Sequence, residues 1–531
     1  MRICLVNPEF PPSLWDFAHC RDLDGSRYPY YSLALPTLAG LTPPEHEVVI
    51  MDENIAPLDF DGEYDLVGIS GYHIQMDRVF EVARLFRQKG TPVVVGGPMV
   101  NYDNIESFLD RVDTVFCGEA EYTWGRFLDD FMRGKPSKVY KADGFVDMAD
   151  SPCPRYDLLD VAAYSTAIIE TSRGCPYRCE FCEIPTRLGK RARIKSVDQV
   201  VSEVHALHEL GADSIFFIDD NFVGNRKHVV SLLKALGTFV RSVDYTIYFM
   251  CQLTINFGRD EELLGLLRDA NFKRVFIGIE TPRQNTLQDV GKVQNTNIDL
   301  VSCVRNIQTY GITVWCGLVL GFDSDDREVF AEQYNLLVDC AMPVAAISLL
   351  QAIPGTPLHD RLLREGRLRD VEPGGVRGGY ASMIQTNVIA ADYRRLDDRS
   401  LILGYQDLIG KAYGYGAFAQ RLIDSISLAP QSLPQSQAKM SRRKFMVLSR
   451  MLRHYLVTPD VRRIWMFLRV LLTACLHSPS MVDQVFINLI AFKHLRTYFN
   501  NVARQPLPGY LSNFNKRHNH IGFTSKMRGT T

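Results

Sequence analysis

The segment RGCPYRCEFCEIP, residues 173–185, places three cysteines within eight residues. A structural zinc site needs four ligands, and a [4Fe–4S] cluster usually takes four thiolates. The next cysteine along the chain, Cys251, is far away in sequence. Three thiolates on an iron cluster leave one iron open to another molecule. The three candidate metal ligands are Cys175, Cys179 and Cys182.

The first 140 residues alternate short apolar runs with amphipathic helical patterns, which predicts an α/β domain of Rossmann-like type with a parallel sheet of about five strands. Ligands of such sheets bind at the carboxyl ends of the strands. Small or polar residues stand at these ends, although tight turns between strand and helix need glycine anyway. The candidate binding residues are Ser70, Gly71, Gly96, Gly97 and Glu119.

Residues 141–165 read as a linker that contains proline and aspartate, and residues 166–365 contain six further strand patterns separated by helices. Six such units predict a partial (β/α)6 barrel. The three cysteines follow the first of these strands. Catalytic groups of barrels lie at the carboxyl ends of the strands, so the cysteine loop is at the expected position.

The pattern Cys175-x3-Cys179-x2-Cys182, with Phe181 before the third cysteine, resembles the signature of the radical S-adenosylmethionine (SAM) enzymes. In that family the three thiolates hold a [4Fe–4S] cluster, and the amino and carboxylate groups of SAM bind the fourth iron. Reductive cleavage of SAM then gives methionine and a 5′-deoxyadenosyl radical, which takes hydrogen from an unactivated carbon. The resemblance therefore implies a catalytic use for the open iron.

The same resemblance assigns SAM contacts at later strand ends. Residues Asp219, Asp220 and Asn221 close the second barrel strand, where the family binds the methionine amino group. Glu280 matches the residue that bonds the ribose, and Gly321 lies in a segment near the adenine. Without the resemblance, acids at strand ends commonly cap the next helix.

A Rossmann-like domain before such a barrel is similar to the cobalamin-binding radical SAM enzymes, and the similarity spans roughly residues 1–365. Segments such as DDNFVGN and LLQAIPGTPL resemble the group of the hopanoid C-2 methylase. The resemblance implies cobalamin as a further cofactor. The motif Asp-x-His-x-x-Gly, whose histidine binds cobalt, is absent, and the nearest pair, Asp16 and His19, has the wrong spacing. Any cobalamin is thus expected without that ligand.

The resulting functional hypothesis is methylation of an unactivated carbon in a lipid or secondary metabolite, with electrons from a flavodoxin- or ferredoxin-type protein. Two alternatives stay open. One is a radical SAM enzyme that catalyses cyclisation or rearrangement, and the other is a non-catalytic iron–sulfur redox sensor. No general acid or base is assigned from the sequence.

The C-terminal region, residues 366–531, reads as helical and basic. From Lys439 onward it has 16 Lys and Arg against two acids, whereas the rest of the chain has 43 basic and 59 acidic residues. Two interpretations stay open: helices that lie against an anionic membrane surface, and a plain helical cap on the barrel. Nucleic acid is not an expected partner, since no aromatic and basic RNA platform is found.

The N-terminus lacks the long apolar segment of a signal peptide. The longest apolar stretch, residues 464–476, is shorter than the roughly 20 residues of a spanning helix. We therefore expect a cytoplasmic protein, peripheral to the inner face of the membrane if the basic helices bind lipid. In a reducing compartment the twelve cysteines are expected to be free thiols or metal ligands.

Overall fold

The computed structural model of the chain describes residues 1–101, 104–243, 245–369, 388–431 and 442–504, the last range with side chains from 444 to 502. Two parallel six-stranded sheets and a C-terminal group of helices follow one another along these residues. The α/β fold class and the helical C-terminal region predicted from the sequence are confirmed. The basic residues beyond Arg504 and part of the polar stretch at 429–437 lie outside the described residues.

The first sheet has the strand order β2-β1-β3-β4-β5-β6. All neighbouring strands pair in parallel. The prediction of about five strands misses the sixth, which has three residues and is too short to show a periodic pattern. The strands are β1 (Arg2–Asn7), β2 (Glu47–Asp52), β3 (Leu66–Ser70), β4 (Val93–Gly96), β5 (Thr114–Cys117) and β6 (Val139–Lys141).

The second sheet is a partial barrel with the order β14-β13-β12-β11-β10-β7. Its outer strands do not pair with each other, so the barrel stays open on one side. The third strand begins at Tyr248, which pairs with Ser214 at the start of β10. The strands are β7 (Ala167–Ile169), β10 (Ser214–Phe217), β11 (Tyr248–Leu253), β12 (Phe272–Glu280), β13 (Thr313–Leu320) and β14 (Val344–Leu349), with a small antiparallel pair of β8 (Ser172–Arg173) and β9 (Arg193–Ile194).

Helices connect the strands of both sheets. Their ends often carry side-chain caps: Ser196 accepts from the backbone N–H of Gln199 at the start of α7, for example. The helices up to the end of the barrel are α1 (Arg21–Asp24), α2 (Ala34–Leu41), α3 (Met76–Gln88), α4 (Glu106–Leu109), α5 (Trp124–Met132), α6 (Ile184–Arg187), α7 (Val197–Glu209), α8 (Arg226–Ser242), α9 (Glu261–Asp269), α10 (Gln284–Asp289), α11 (Leu300–Thr309), α12 (Val329–Asp339) and α13 (Pro357–Arg364).

In the described part of the C-terminal region, five further helices pack on the barrel from the side of the strand N-termini. The hydroxyl of Tyr413 donates to the carbonyl of Ala345 in β14 at 2.5 Å. The indole N–H of Trp315 in β13 donates to the Oδ1 of Asn488 at 2.9 Å. The described part of the C-terminal region therefore caps the barrel. The helices are α14 (Asp398–Ala412), α15 (Tyr415–Leu428), α16 (Arg442–Leu456), α17 (Val461–His477) and α18 (Val482–Arg504).

Candidate active site

The three cysteines occupy the loop between β8 and β9, directly after the first barrel strand. The backbone N–H of Cys175 donates to the carbonyl of Gly189 at 3.2 Å, and that of Cys182 donates to the carbonyl of Cys179 at 3.1 Å. Cys179 is buried, and the other two thiols are half-buried. All twelve cysteines of the chain are free thiols.

The thiols are near enough to influence one another. Burial, together with the charges of Cys179 and Cys175, raises the pKa of Cys182 to about 12. Burial also raises the pKa of Cys175, and Cys179 adds to the effect. A thiol with a raised pKa keeps its proton at neutral pH until a metal ion displaces it. The resulting thiolate is the form that binds iron. The donor set thus fits an iron–sulfur cluster.

No three His, Cys, Asp or Glu side chains within the described ranges converge on a point where a single metal ion could bind. In a [4Fe–4S] cluster each thiolate binds a different iron. Three cysteines on one short loop are a donor set of the kind that such a cluster takes.

Gly174 directly precedes the first cysteine, and its backbone conformation and surroundings leave no room for a side chain. Its φ is +92°, and a Cβ there would lie 2.8 Å from the carbonyl oxygen of Leu188 and 3.0 Å from that of Gly189. Neither backbone oxygen can move without opening the loop that holds Cys175. The residue before the first cysteine therefore has a structural requirement of its own.

We expect Gly174→Ala to lower the iron content of the purified protein by at least half, because the clash displaces the loop. Gly211→Ala is the matched control, since Gly211 also has a positive φ, of +87°, but nothing lies within 4 Å of its Cβ position. The strain at positive φ, about 1–2 kcal/mol, is common to both variants. Equal iron content in the two variants would contradict the proposed role of the clash.

The two acids after β10, Asp219 and Asp220, have different roles. Asp219 is 1% exposed and accepts hydrogen bonds from the hydroxyls of Thr171 at 2.7 Å and Ser172 at 2.6 Å. Its carboxylate therefore fixes the strand end that leads into the cysteine loop. Asp220 accepts one bond, from the backbone N–H of Gly174 at 2.9 Å, and burial raises its pKa to about 7.

Asn221, the third residue of this predicted set, is buried, and its Oδ1 has no hydrogen-bond partner among the described residues. A buried polar atom without a partner costs free energy unless a ligand supplies one. Asp220 and Asn221 together thus offer acceptors for an ammonium group. Asp219 does not, because its oxygens are already used.

Glu280 ends β12 in a backbone conformation that is rare for its type, with φ at +67°. The pairing of β12 with β13 shifts by one residue between Gly278 and Glu280, and such bulges re-aim the side chain that follows. The Nζ of Lys292 donates a hydrogen bond to this carboxylate at 2.5 Å. The predicted ribose-binding residue is therefore oriented by an ion pair.

Lys292 and Gln294 are site residues that the sequence analysis missed. Burial alone would lower the pKa of Lys292, but Glu280 and the thiols of Cys179 and Cys182 raise it, so the lysine stays cationic beside the cluster loop. The Nε2 of Gln294 donates to the sulfur of Cys179 at 3.4 Å. The only signal in the sequence was their position shortly after β12.

A cavity of about 320 Å³ adjoins Phe181. Phe322, which follows Gly321 at the end of β13, and Leu350, which follows β14, form its apolar wall. Gly321 itself has a φ of +100°, and its N–H donates to the carboxylate of Asp325 at 2.9 Å. The segments predicted to lie near the adenine thus meet beside the aromatic residue of the cysteine loop.

The glycines of the first sheet pack against protein. A Cβ on Gly97 would lie 2.6 Å from the Oγ of Ser70 and 3.0 Å from the carbonyl of Gly71, and one on Gly96 would lie 3.2 Å from the Cβ of Phe116. These residues let the loops after β3 and β4 approach each other closely. Tight turns between strand and helix therefore account for these glycines without a ligand. A cofactor bound here would contact the surface that these loops form.

Glu119, predicted as a binding residue, joins the two sheets instead. Its carboxylate forms ion pairs with Arg193 at 2.8 Å and with Arg173 at 3.1 Å. The side chain of Glu119 is 8% exposed. Burial alone would raise the pKa of Glu119, but the bonds from Arg193 and from the backbone N–H of Val146 hold it below its usual range. This group, the Glu119 clamp, fixes the end of β5 to the cysteine loop.

The loop after β3 and the segment that follows β1 both lie beside the carboxyl end of the barrel. Tyr72, after β3, is 48% exposed, yet the surrounding protein raises its pKa by desolvation, with Arg187 and Asp220 of the barrel among its charged neighbours. Trp15, from the segment between β1 and α2, packs edge-on to Phe276 of β12 at 5.9 Å between ring centroids. The carboxyl ends of both sheets therefore face each other, with aromatic residues of both domains between them, and we call this region the cleft.

The histidines of this region do not offer a free ligand for cobalt. His73 is 8% exposed, and burial lowers its pKa to about 4 while a hydrogen bond to the backbone of Pro98 acts in the opposite direction. His19 stacks on His494 of α18, away from the cleft.

Comparison with protein families assigns residues 169–333 to the radical SAM superfamily and residues 356–506 to a domain of unknown function, DUF4070. A methyltransferase of Synechocystis sp. described as uncharacterized is 35% identical over 386 residues, which cover 71% of both chains. The hopanoid C-2 methylase of Rhodopseudomonas palustris is 34% identical over 375 residues, covering 69% of this chain and 71% of the methylase.

Two solved structures share the fold. The radical SAM methyltransferase TsrM of Kitasatospora setae superposes with a TM-score of 0.59 at 16% identity, covering 85% of this chain and 95% of TsrM. The cobalamin-dependent radical SAM enzyme OxsB gives 0.59 at 16% identity over 100% of this chain and 82% of OxsB. At this identity the likeness concerns the arrangement of the domains.

A partial barrel with three thiols and an open site for a fourth iron ligand defines a radical SAM enzyme. The chain belongs to the radical SAM superfamily. Within it, the chain belongs to the group of methyltransferases that includes the hopanoid C-2 methylase.

Proposed function

We propose that the protein is a cobalamin-dependent radical SAM methyltransferase that methylates an unactivated carbon of an apolar substrate. The observation that carries the proposal is the cleft between the two sheets, where the surface of the Rossmann-like domain faces the cysteine loop of the barrel. A methyl carrier on one side and a radical source on the other can reach one substrate only in such an arrangement.

Cys175, Cys179 and Cys182 would hold the cluster, which supplies the electron for SAM cleavage when it is bound. Asp220 and Asn221 are placed to accept hydrogen bonds from the amino group of SAM. Charge-assisted hydrogen bonds of this kind are stronger than neutral ones. The protein's own part is to hold the sulfonium end of SAM at the open iron and to orient it.

Glu280 would accept a hydrogen bond from a ribose hydroxyl, because the ion pair with Lys292 fixes the carboxylate. The adenine would enter the cavity beside Phe181, against the apolar surface of Phe322. Aromatic and apolar walls suit a flat heterocycle. Each end of SAM then has its own binding group.

Cobalamin would lie against the loops after β3 and β4, with Tyr72 on the cleft side, and would supply the methyl group. His73, which is buried and bonded to the backbone of Pro98, would not bind this cobalt. The apolar rings of Trp15, Tyr72 and Phe276 favour a substrate with an apolar body.

Anaerobic purification with aquocobalamin supplied tests the cofactor assignment. We expect about four irons and one cobalt per chain. Cys179→Ala should lose the iron and keep the cobalt, because the two cofactors bind on opposite sides of the cleft. Cobalt below about a tenth per chain would overturn the cobalamin proposal. SAM with a CD3 group then separates methylation from cyclisation or rearrangement, since only methylation places CD3 in a product.

A small acidic electron carrier is the proposed source of electrons. Arg178, Lys190 and Arg191 are exposed around the cysteine loop and would attract a flavodoxin- or ferredoxin-type protein. Charge-reversed variants of these residues should slow reduction by such a carrier, most strongly at low salt. Reduction by dithionite should stay unchanged.

Contact with an anionic membrane is the proposed role of α16 and α17. One face of α17, the apolar stripe, exposes five large residues at helical spacing. On α16, Phe445, Leu452 and Leu456 are exposed in the same manner. Arg462, beside the stripe, is 85% exposed. The stripe consists of Val461, Trp465, Leu468, Leu472 and Leu476.

Exposed apolar faces with adjacent arginines suit helices that lie in the headgroup region. None of the helices in the described ranges is long and apolar enough to cross a bilayer. Contact would therefore be interfacial. It would place the barrel beside a lipid phase from which an apolar substrate can be taken.

Trp465→Ser with Leu472→Ser is expected to weaken binding to vesicles of phosphatidylglycerol and phosphatidylcholine at least tenfold. Burying each side chain contributes about 1.5–3 kcal/mol, and 1.4 kcal/mol corresponds to a factor of ten. Leu363→Ser, at a residue of α13 that is 60% exposed, is the control. Co-sedimentation that is equal for wild type and both variants would exclude the stripe as a membrane contact.

A further inference from the structure

A second cavity, which we call the lower cavity, lies at the opposite end of the barrel from the cysteine loop. Its volume is about 250 Å³. Ser214, Tyr248 and Arg274 line it from the strands, and α16 and α18 close it from the cap. Arg274 is six residues before Glu280 on β12, which is roughly 20 Å at 3.3 Å per residue. The lower cavity is thus separate from the SAM site.

Arg274 is a buried cation without a counter-charge. It is 8% exposed, its Nε has no hydrogen-bond partner in the described chain, and burial lowers its pKa to about 10. Asp24, Asp213 and Asp483 also line the lower cavity, but none of them forms an ion pair with Arg274. A buried charge without a partner destabilises a fold.

Arg421 shows what a structural buried arginine looks like in this protein. It is 1% exposed, and its guanidinium donates to the carbonyls of Met342 at 2.7 Å, Ala412 at 2.7 Å and Pro343 at 3.3 Å. These bonds compensate for its burial. Arg274 has no such bonds, so its guanidinium is not used to hold the backbone together.

The cation–π contact of Arg274 with Trp315 leaves the N–H donors of its guanidinium available. The guanidinium lies over the ring of Trp315 at 5.1 Å from the centroid, and the bond from the Trp315 indole to Asn488 fixes that ring. A cation–π contact uses the face of the guanidinium, whereas its N–H groups point outward in its plane. Tyr30, whose ring also lines the lower cavity, lies near Arg274.

The rest of the wall is largely apolar. Met250 comes from β11, Val447 and Leu448 from α16, and Phe486 and Ile490 from α18. Of the acids in the wall, Asp483 accepts from Tyr248 and Lys444, and Asp24 accepts from Ser26 and Ser165. An apolar chamber with one unpartnered guanidinium is complementary to an apolar molecule that carries one anionic group.

We infer that the lower cavity binds an amphiphile with a carboxylate or phosphate head, whose head bonds the guanidinium of Arg274 and whose apolar body packs against the helices of the cap. Binding at this site is independent of SAM cleavage and methyl transfer.

Isothermal titration calorimetry with four probes of equal chain length tests the inference on the anaerobically purified full-length protein. The probes are decanoate, decyl phosphate, 1-decanol and decyltrimethylammonium. We expect one of the two anions to bind at least about tenfold more tightly than decanol, since hydrogen bonds to charged groups are strong. The stronger of the two anions then identifies the head group. Equal affinity for the anions, the alcohol and the cation would overturn the inference.

Arg274→Met should abolish the preference for the anion and leave decanol binding within about threefold. Lys273→Met is the matched control, because Lys273 is the adjacent cation on β12 and is not part of the cavity wall. It should keep the preference. A preference that persists in Arg274→Met would place the anion elsewhere.

Val447→Trp provides a second test that retains the cation. The larger ring fills the lower cavity from α16, so decanoate and decanol should both lose at least tenfold in affinity. Unchanged binding of both would overturn the inference even if Arg274→Met failed to fold.

Discussion

Replacing Cys179 with alanine is expected to reduce the iron content from about four per chain to less than about one and to remove SAM cleavage. Cys179 is the buried member of the triad. Its thiol is within electrostatic reach of both other thiols, so its loss leaves a cluster with two protein ligands. Iron analysis and chromatography of 5′-deoxyadenosine measure the two effects.

Cys153→Ala is the control for this variant, because Cys153 is exposed and lies in the linker. It should keep both the iron and the cleavage activity. A Cys179→Ala protein with full iron content would show that the cluster has different ligands. The cysteine loop would then need another explanation.

Replacing Glu119 with alanine is expected to lower the free energy of unfolding by about 3 kcal/mol. The side chains of the clamp are less than a fifth exposed, and removal of one partner from a buried ion pair typically costs about 3–5 kcal/mol. Arg173 keeps Glu121 and Glu170, so the lower end of this range applies. Arg193 loses its carboxylate partner.

Asp157→Ala provides the comparison for the clamp, because Asp157 forms an exposed pair with Arg155 in the linker. Exposed pairs contribute about 1 kcal/mol or less. Urea unfolding followed by tryptophan fluorescence should therefore shift clearly for Glu119→Ala and little for Asp157→Ala. Equal shifts would mean that the clamp does not hold the two sheets together.

The sequence predicts the elements whose signal is local. The cysteine spacing, the alternation of strands and helices and the acids after β10 all lie within short segments. The position of Glu280 at the end of β12 also follows from its strand pattern, and the structure adds the bulge that turns its side chain. Local patterns therefore located the candidate site.

Contacts between distant segments explain what the sequence could not predict. Glu119 follows a strand as a ligand-binding acid would, but its partners are 54 and 74 residues away. Asp219 and Asp220 are adjacent acids, and only the bonds from Thr171 and Ser172 show which of them is already used. In the sequence, Arg274 looks like a polar residue at the start of a strand. Its side chain is buried because helices of the C-terminal cap close the lower cavity around it.

The central claim is that three thiolates hold an iron–sulfur cluster whose open iron takes SAM. Anaerobic incubation of the reconstituted, dithionite-reduced wild type with SAM tests it most directly. The account predicts 5′-deoxyadenosine and methionine in equal amounts, far above the Cys179→Ala background. A protein with its full complement of iron that leaves SAM intact would contradict it.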